Sequence, residues 1–292
     1  MCPRDGHARE HVRWCKRKAY TQFGTEVNTD MKRIGVIVVL SAILGTGAAW
    51  GAGKDVYIVG LDAAFPPFTW VERGEYKGFD VEVMRKIAEL EGFRVEFRDL
   101  PWATIITALA QGKIDIIASG LSITCERDAV IDYSEPYWEV DQAILVRSDS
   151  DYNAITAFYG TTVGAQAGTT GYQWLEDNLV KKGVDVVLRA YETYDMAVSD
   201  LESGRIAAVL CDTDTAQGFV NAGRKVRIAG IVKTGEQYAY AVREGDPYGL
   251  LPKINEGLRK LYELGIWAEL MAKYFPGRAV VPVPLVRTLD CR

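Results

Sequence analysis

The chain has 292 residues, 48% of them hydrophobic, enough to bury a sizeable core in one large domain or two smaller ones. Its formal charge is −5, and since the stretch ahead of Lys54 is net basic, the remainder is more acidic than the whole. Such a body lacks the basic patch that nucleic acid requires. With both histidines, His7 and His11, near the amino terminus, it also has no histidine triad or histidine-ligated metal.

Met31-Lys32-Arg33 precedes an apolar run at 34–44 and small residues ending in Ala49-Trp50-Gly51-Ala52, the pattern of a secretory signal peptide over 31–53. The run is shorter than the roughly 20 residues of a membrane span; an uncleaved anchor is the alternative. No Cys stands at the expected cleavage point, so a lipoprotein anchor is not supported. Residues 1–30 precede the place where a signal peptide should begin, and are read as a mis-start or unstructured extension outside the fold. Setting that leader aside leaves Cys125, Cys211 and Cys291, whose spacing is neither a metal motif nor a disulfide framework.

Strand and helix patterns then alternate. Residues 56–61 read as a strand and 80–90 as a helix with Val83, Ile87 and Leu90 on one face. A short strand at 95–97, a helix at 104–111 closed by Gly112 and a buried strand at 114–119 follow. Strands at 162–165, 184–188, 206–211 and 226–231 alternate with helical patterns at 171–182, 194–203 and 215–222. This alternation predicts α/β layers with largely parallel sheets.

"ALAQGKIDIIASG", starting at Ala108, is echoed by "DLESGRIAAVLCD", starting at Asp200. Each is a helix stopped by glycine, a basic residue near its negative end, and a buried strand ending in a polar residue, Ser119 or Asp212. Open α/β sheets bind ligands beyond the carboxyl ends of their strands. Two such sheets face to face would form a cleft with Ser119 and Arg127, from the polar cluster of Ser119, Ser122, Thr124 and Arg127, on one wall and Asp212 on the other.

Five motifs in order, "DAAFPPF", "YKGFDVEVMRKIAE", "GLSITCERDAVIDYSEPYW", "VGAQAGTTG" and "AAVLCDT", make 55–275 resemble the periplasmic solute-binding proteins of polar amino-acid ABC importers, the bilobed Venus-flytrap class, solute-binding protein family 3. The resemblance implies two Rossmann-like α/β lobes of the periplasmic binding protein-like II type, joined by a two-strand hinge. Lobe 1 would take 55–146 and 240–275, and lobe 2 147–239, with crossing strands near Leu145-Val146 and 238–242. The tail at 276–292, "PGRAVVPVPLVRTLDCR", lies beyond the pattern and carries no assigned role.

A free amino acid is a zwitterion, so the implied site needs a cationic and an anionic clamp. Arg127 offers a planar fork for the carboxylate, at the start of a short helix with free backbone N–H groups. Ser119, Gly120, Ser122 and Thr170 belong to the same ligand-binding set, the three hydroxyls as neutral donors, while Thr124 reads as a helix N-cap before a ligand contact. Asp212 takes the ammonium, or else caps a strand end. Phe65 and Trp102 match positions that wall the ligand side chain, where a guanidinium could stack. Asp62 matches the position reading the side-chain end, favouring a cation or amide over an acid. Gln166 stands where, on this resemblance, glutamine-binding relatives carry Lys and some binders of basic amino acids carry Gln or an apolar residue.

The expected cargo is therefore a free L-amino acid, arginine, lysine or histidine before glutamine. The expected partner is a membrane permease, the expected location extracytoplasmic, and the protein a monomer with no catalytic residue, cofactor or metal. Two alternatives stay open: a cyclohexadienyl dehydratase-like enzyme using Glu192 or Asp62 as acid, and a sensor module, which would need a downstream membrane or signalling segment. Cys211 reads as a small buried residue without a base to activate it; a cleft-spanning pair with Cys125 is the other reading.

Overall fold

The computed structural model describes residues 54–291, so the expected leader at 1–30 and signal peptide at 31–53 lie outside the described residues. In chain order the elements are β1 (Tyr57–Leu61), β2 (Ala64–Phe65), β3 (Thr69–Glu72), β4 (Glu75–Lys77), α1 (Phe79–Glu91), β5 (Val95–Asp99), α2 (Trp102–Ala110), β6 (Ile116–Ile117), α3 (Cys125–Asp128) and β7 (Ile131–Tyr133). The chain then crosses into β8 (Trp138–Arg147), β9 (Thr161–Gln166), α4 (Thr170–Leu175), β10 (Val186–Tyr191), α5 (Tyr194–Glu202), β11 (Ala208–Asp212), α6 (Thr213–Asn221) and β12 (Val226–Tyr238). It returns through β13 (Ala241–Arg243) to α7 (Leu250–Glu263) and α8 (Ile266–Tyr274). Among the described residues no helix is long and apolar enough to cross a membrane.

Two five-stranded sheets result, ordered β5-β1-β6-β13-β7 and β10-β9-β11-β8-β12. In each, the first three strands are parallel and the last two pairings antiparallel, so the fourth strand, β13 or β8, runs against the rest and the sheets are mixed where the alternation predicted largely parallel ones. The antiparallel pair arises because the chain crosses between lobes twice and each crossing segment lends strands to both sheets. A small β2-β3-β4 sheet sits beside the first.

The internal echo has a structural counterpart. Strands β6 and β11 occupy the same third place in their sheets. Helices α2 and α5 both end in a left-handed glycine, Gly112 at φ 70° and Gly204 at φ 75°. The capping bonds also match: Gly112 to Leu109 and Lys113 to Ala108 in one copy, Gly204 to Leu201 and Arg205 to Asp200 in the other.

Leu145 and Val146, expected at the first crossing, lie instead inside the second sheet, paired on one side with Val209 and Ala208 and on the other with Ile228 and Arg227. The chain leaves the first sheet at Tyr133 and joins the second at Trp138. The reason is packing: "AILV" within β8 is buried on both faces, which only an inner strand requires. One aromatic core, including Phe68, Phe79, Tyr137, Trp138 and Trp267, runs beneath the crossings, with a further core in each lobe.

The cysteine reading needs correction. Cys125 and Cys291 form a disulfide across a sequence separation of 166, and Cys211 is free and buried. Spacing could not reveal the pair, because it depends on the tail folding back against α3.

Candidate functional site

The first wall grows from the ends of β1 and β6. Asp62 directly follows β1, and its amide donates to Ser119 Oγ at 3.1 Å, which also bonds Thr69 Oγ1 at 3.0 Å. The chain leaves β6 for Gly120 at φ 54°, where a Cβ would lie 2.5 Å from the Phe65 ring, so glycine is required. Gly120 N–H donates at 2.7 Å to Asp80 Oδ2, which also accepts the Tyr137 hydroxyl at 2.9 Å. Asp80 is wholly buried, and desolvation pushes its carboxyl up to about 7 despite these donors.

Arg127 projects from α3, a single turn. Thr124 is its N-cap, accepting from the Arg127 amide at 3.2 Å, while the Asp128 amide goes to the Thr124 carbonyl. Those amides are therefore committed within the turn, and the guanidinium supplies the cationic reach. Arg127 is 8% exposed, with Nη1 on the Ser122 carbonyl at 2.9 Å and Nη2 on the Gly168 carbonyl at 3.0 Å. Trp102 lies 5.7 Å from it and donates its indole N–H to the same Gly168 carbonyl at 3.2 Å. Five guanidinium N–H donors less these two leave capacity for a bidentate anion.

The second wall comes from β9, α4 and β11. Asp212 ends β11 and occupies the N-cap position of α6, yet makes no capping bond. Its carboxylate is instead committed inward, accepting from Gln142 Nε2. Gln142 also donates at 3.1 Å to Glu236, whose other oxygen accepts from Ser122 and Thr170 hydroxyls at 2.6 Å each. Burial, and next the Glu236 charge, push the Asp212 carboxyl up to about 7. Gln166 Nε2 reaches across to Asp62 Oδ2 at 2.6 Å and to the Glu192 carbonyl at 2.9 Å. Burial also raises the Asp62 carboxyl, offset partly by the Gln166 bond.

These walls border one pocket lined by Asp62, Phe65, Trp102, Ser119, Gly120, Ser122, Arg127, Gln166, Thr170 and Asp212, so the ten residues assigned to the ligand site from sequence face one space. Ser119 is tied to its own lobe, and the Ser122 and Thr170 hydroxyls both serve Glu236. Sequence reasoning missed Thr169 and Tyr194, which also border the cavity, and Gln142 and Glu236 behind it. A glutamine inside the buried run of β8 was a usable signal, since a buried polar side chain needs partners. Glu236 carried none, because its approach depends on the irregular register of β12.

Residues 57–277 match the sequence profile of the bacterial extracellular solute-binding proteins, family 3. The chain belongs to this family. It is 30% identical over 261 residues to a probable histidine-binding protein of Neisseria gonorrhoeae, covering 84% of this chain and 96% of that one. An ancestral arginine-binding protein solved with arginine superposes with TM-score 0.72 at 35% identity, covering 77% of this chain and 100% of that one. The ancestral amino acid-binding protein AncCDT-1, a precursor of cyclohexadienyl dehydratase, superposes with TM-score 0.69 at 32% identity, over 76% and 96% of the two chains. This solute-binding protein thus has the two-lobed α/β fold of the amino-acid-binding components of ABC transporters.

Proposed function

We propose that this solute-binding protein is the extracytoplasmic receptor of an ABC amino-acid importer and carries a basic L-amino acid, arginine first, then lysine or histidine, with glutamine after these. The observation that carries this reading is the charge inventory of the cavity: Asp62 and Asp212 at its border against one guanidinium, Arg127. A cationic amino acid brings two positive groups and one negative group and neutralises that set, whereas glutamate would set its side-chain carboxylate against Asp62.

In this reading Arg127 grips the carboxylate and Asp212 the ammonium. Asp62 and Gln166 read the far end of the side chain, and Phe65 and Trp102 flank its stem. The clamps come from different lobes, so the ligand favours the closed arrangement by joining them, since only contacts absent from the open form shift the balance. Closure would then create the surface that docks on the permease. The dehydratase alternative relied on Glu192 or Asp62 as acid. Glu192 is exposed, its backbone carbonyl bonded to Gln166, while Asp62 is bonded to Gln166 and Ala64.

A calorimetric series with arginine, lysine, histidine, glutamine and glutamate tests the reading. Arginine should bind tightest and glutamate not detectably. Tightest binding to glutamate would remove the role given to Asp62, and turnover of arogenate or prephenate would favour the enzyme.

A further inference from the structure

The family match ends at residue 277, yet the chain continues as an extended strap that runs back across the molecule. Arg278 pairs with Asp214 of α6, donates to the Glu139 carbonyl at 2.8 Å and lies 4.1 Å over the Trp138 ring. Val283 is only 4% exposed and belongs to the aromatic core. The Leu285 amide donates to the Pro136 carbonyl, inside the first crossing. Gln237, just before the second crossing, donates to the Val286 carbonyl at 2.9 Å and accepts from the Thr288 amide and hydroxyl at 2.9 and 3.0 Å. The strap therefore touches both crossings before it reaches α3.

At α3 it is fastened twice. Cys291 is disulfide-bonded to Cys125, and Arg287 pairs with Asp128 at 3.0 Å. These two attachment points bracket Arg127 in a helix of only four residues. One turn of helix is too short to hold its own shape, because nucleation costs more than so few hydrogen bonds return. Arg287 also lies 5.9 Å over Tyr133, whose hydroxyl donates to the same Ser122 carbonyl that Arg127 uses, at 3.1 Å. On the side away from Gly168 and Trp102, the strap thus holds the turn at both of its ends.

We propose that the strap at 278–291 is a positioning element for Arg127, and that the Cys125–Cys291 disulfide sets affinity by holding the guanidinium in its ligand-ready orientation from behind. The proposal rests on the reading that Arg127 binds the ligand carboxylate. It assigns a role to a segment outside the family match, and it makes the site depend on a bond that forms in an oxidising compartment.

The test uses the oxidised protein and Cys291→Ser, with two readouts. One is the calorimetric Kd for arginine. The other is the Arg127 Nε–H cross-peak in a ¹⁵N NMR spectrum, assigned through its loss in Arg127→Lys. The expected result is arginine affinity at least tenfold weaker in C291S, with the cross-peak broadened or moved toward the position of a free arginine. Arg287→Ala, which keeps the disulfide, should shift both readouts in the same direction by a smaller amount, and it serves as the test if C291S does not fold. An unchanged cross-peak overturns the proposal even if affinity falls, since the loss would then come from elsewhere. Affinity within twofold of the parent overturns it whatever the spectrum shows. If the parent itself binds no amino acid, the functional reading fails first, and the cross-peak still reports whether the strap positions Arg127.

Discussion

Lowering the pH should empty the cavity through Asp212. With no ligand its carboxyl titrates at about 7, because it is buried and faces the charge of Glu236. An ammonium group needs the ionised form, so binding below pH 7 must first drive off a proton. If only the ionised form binds, apparent Kd scales as one plus the ratio of protonated to ionised Asp212. Between pH 8 and pH 5 that factor grows roughly 100-fold, about 2.7 kcal/mol at 1.36 kcal/mol per unit. Calorimetry of arginine binding at constant ionic strength should show this slope, with about half a proton released per ligand at pH 7. Asp212→Asn should bind weakly and lose the slope below pH 7, while Glu236→Gln should move the slope to lower pH. A parent Kd that changes less than about threefold between pH 8 and pH 5 would refute the assignment of Asp212.

Other outcomes follow from the same geometry. Arg127→Lys exchanges a planar fork for a point charge and should weaken arginine binding by 2–5 kcal/mol, roughly 30-fold or more, with little change in melting temperature. Asp62→Asn should cost arginine about tenfold or more and glutamine much less, read as the ratio of the two Kd values. Gly120→Ala, forced to φ 54° with its Cβ 2.5 Å from Phe65, should abolish binding and lower stability by about 1–3 kcal/mol in chemical denaturation. The empty protein should also be less stable at pH 8 than at pH 5. Asp80 and Asp212 both titrate near 7 when folded against about 4 when unfolded, so the folded chain holds more protons in that window and unfolding free energy falls as pH rises through it. Melting curves that rise steadily from pH 5 to pH 8 without ligand would contradict this.

What could be read from sequence was what lies close together in sequence. Ser119, Ser122, Thr124 and Arg127 form one short polar cluster after a buried run, so their convergence needed no tertiary knowledge. Asp212 was legible because the repeated helix-glycine-strand unit placed it opposite Ser119. The run at 114–119 looked like a full strand, yet only Ile116–Ile117 pairs as one, because the chain leaves the sheet there to build the cavity wall. Glu236 and Gln142 approach from strands that neighbour the cavity only after the sheet assembles. The Cys125–Cys291 bond was hidden for the same reason, and the first crossing was misplaced because a doubly buried run reads alike in a hinge and in an inner strand.

The account rests on two opposite charges, one from each lobe, meeting on a single zwitterion. A crystal structure of the arginine complex tests it most directly. It should show the ligand carboxylate within hydrogen-bond distance of the Arg127 guanidinium, the ammonium on Asp212 and the ligand guanidinium beside Asp62. Arginine bound with either end of its backbone away from those two side chains would contradict it.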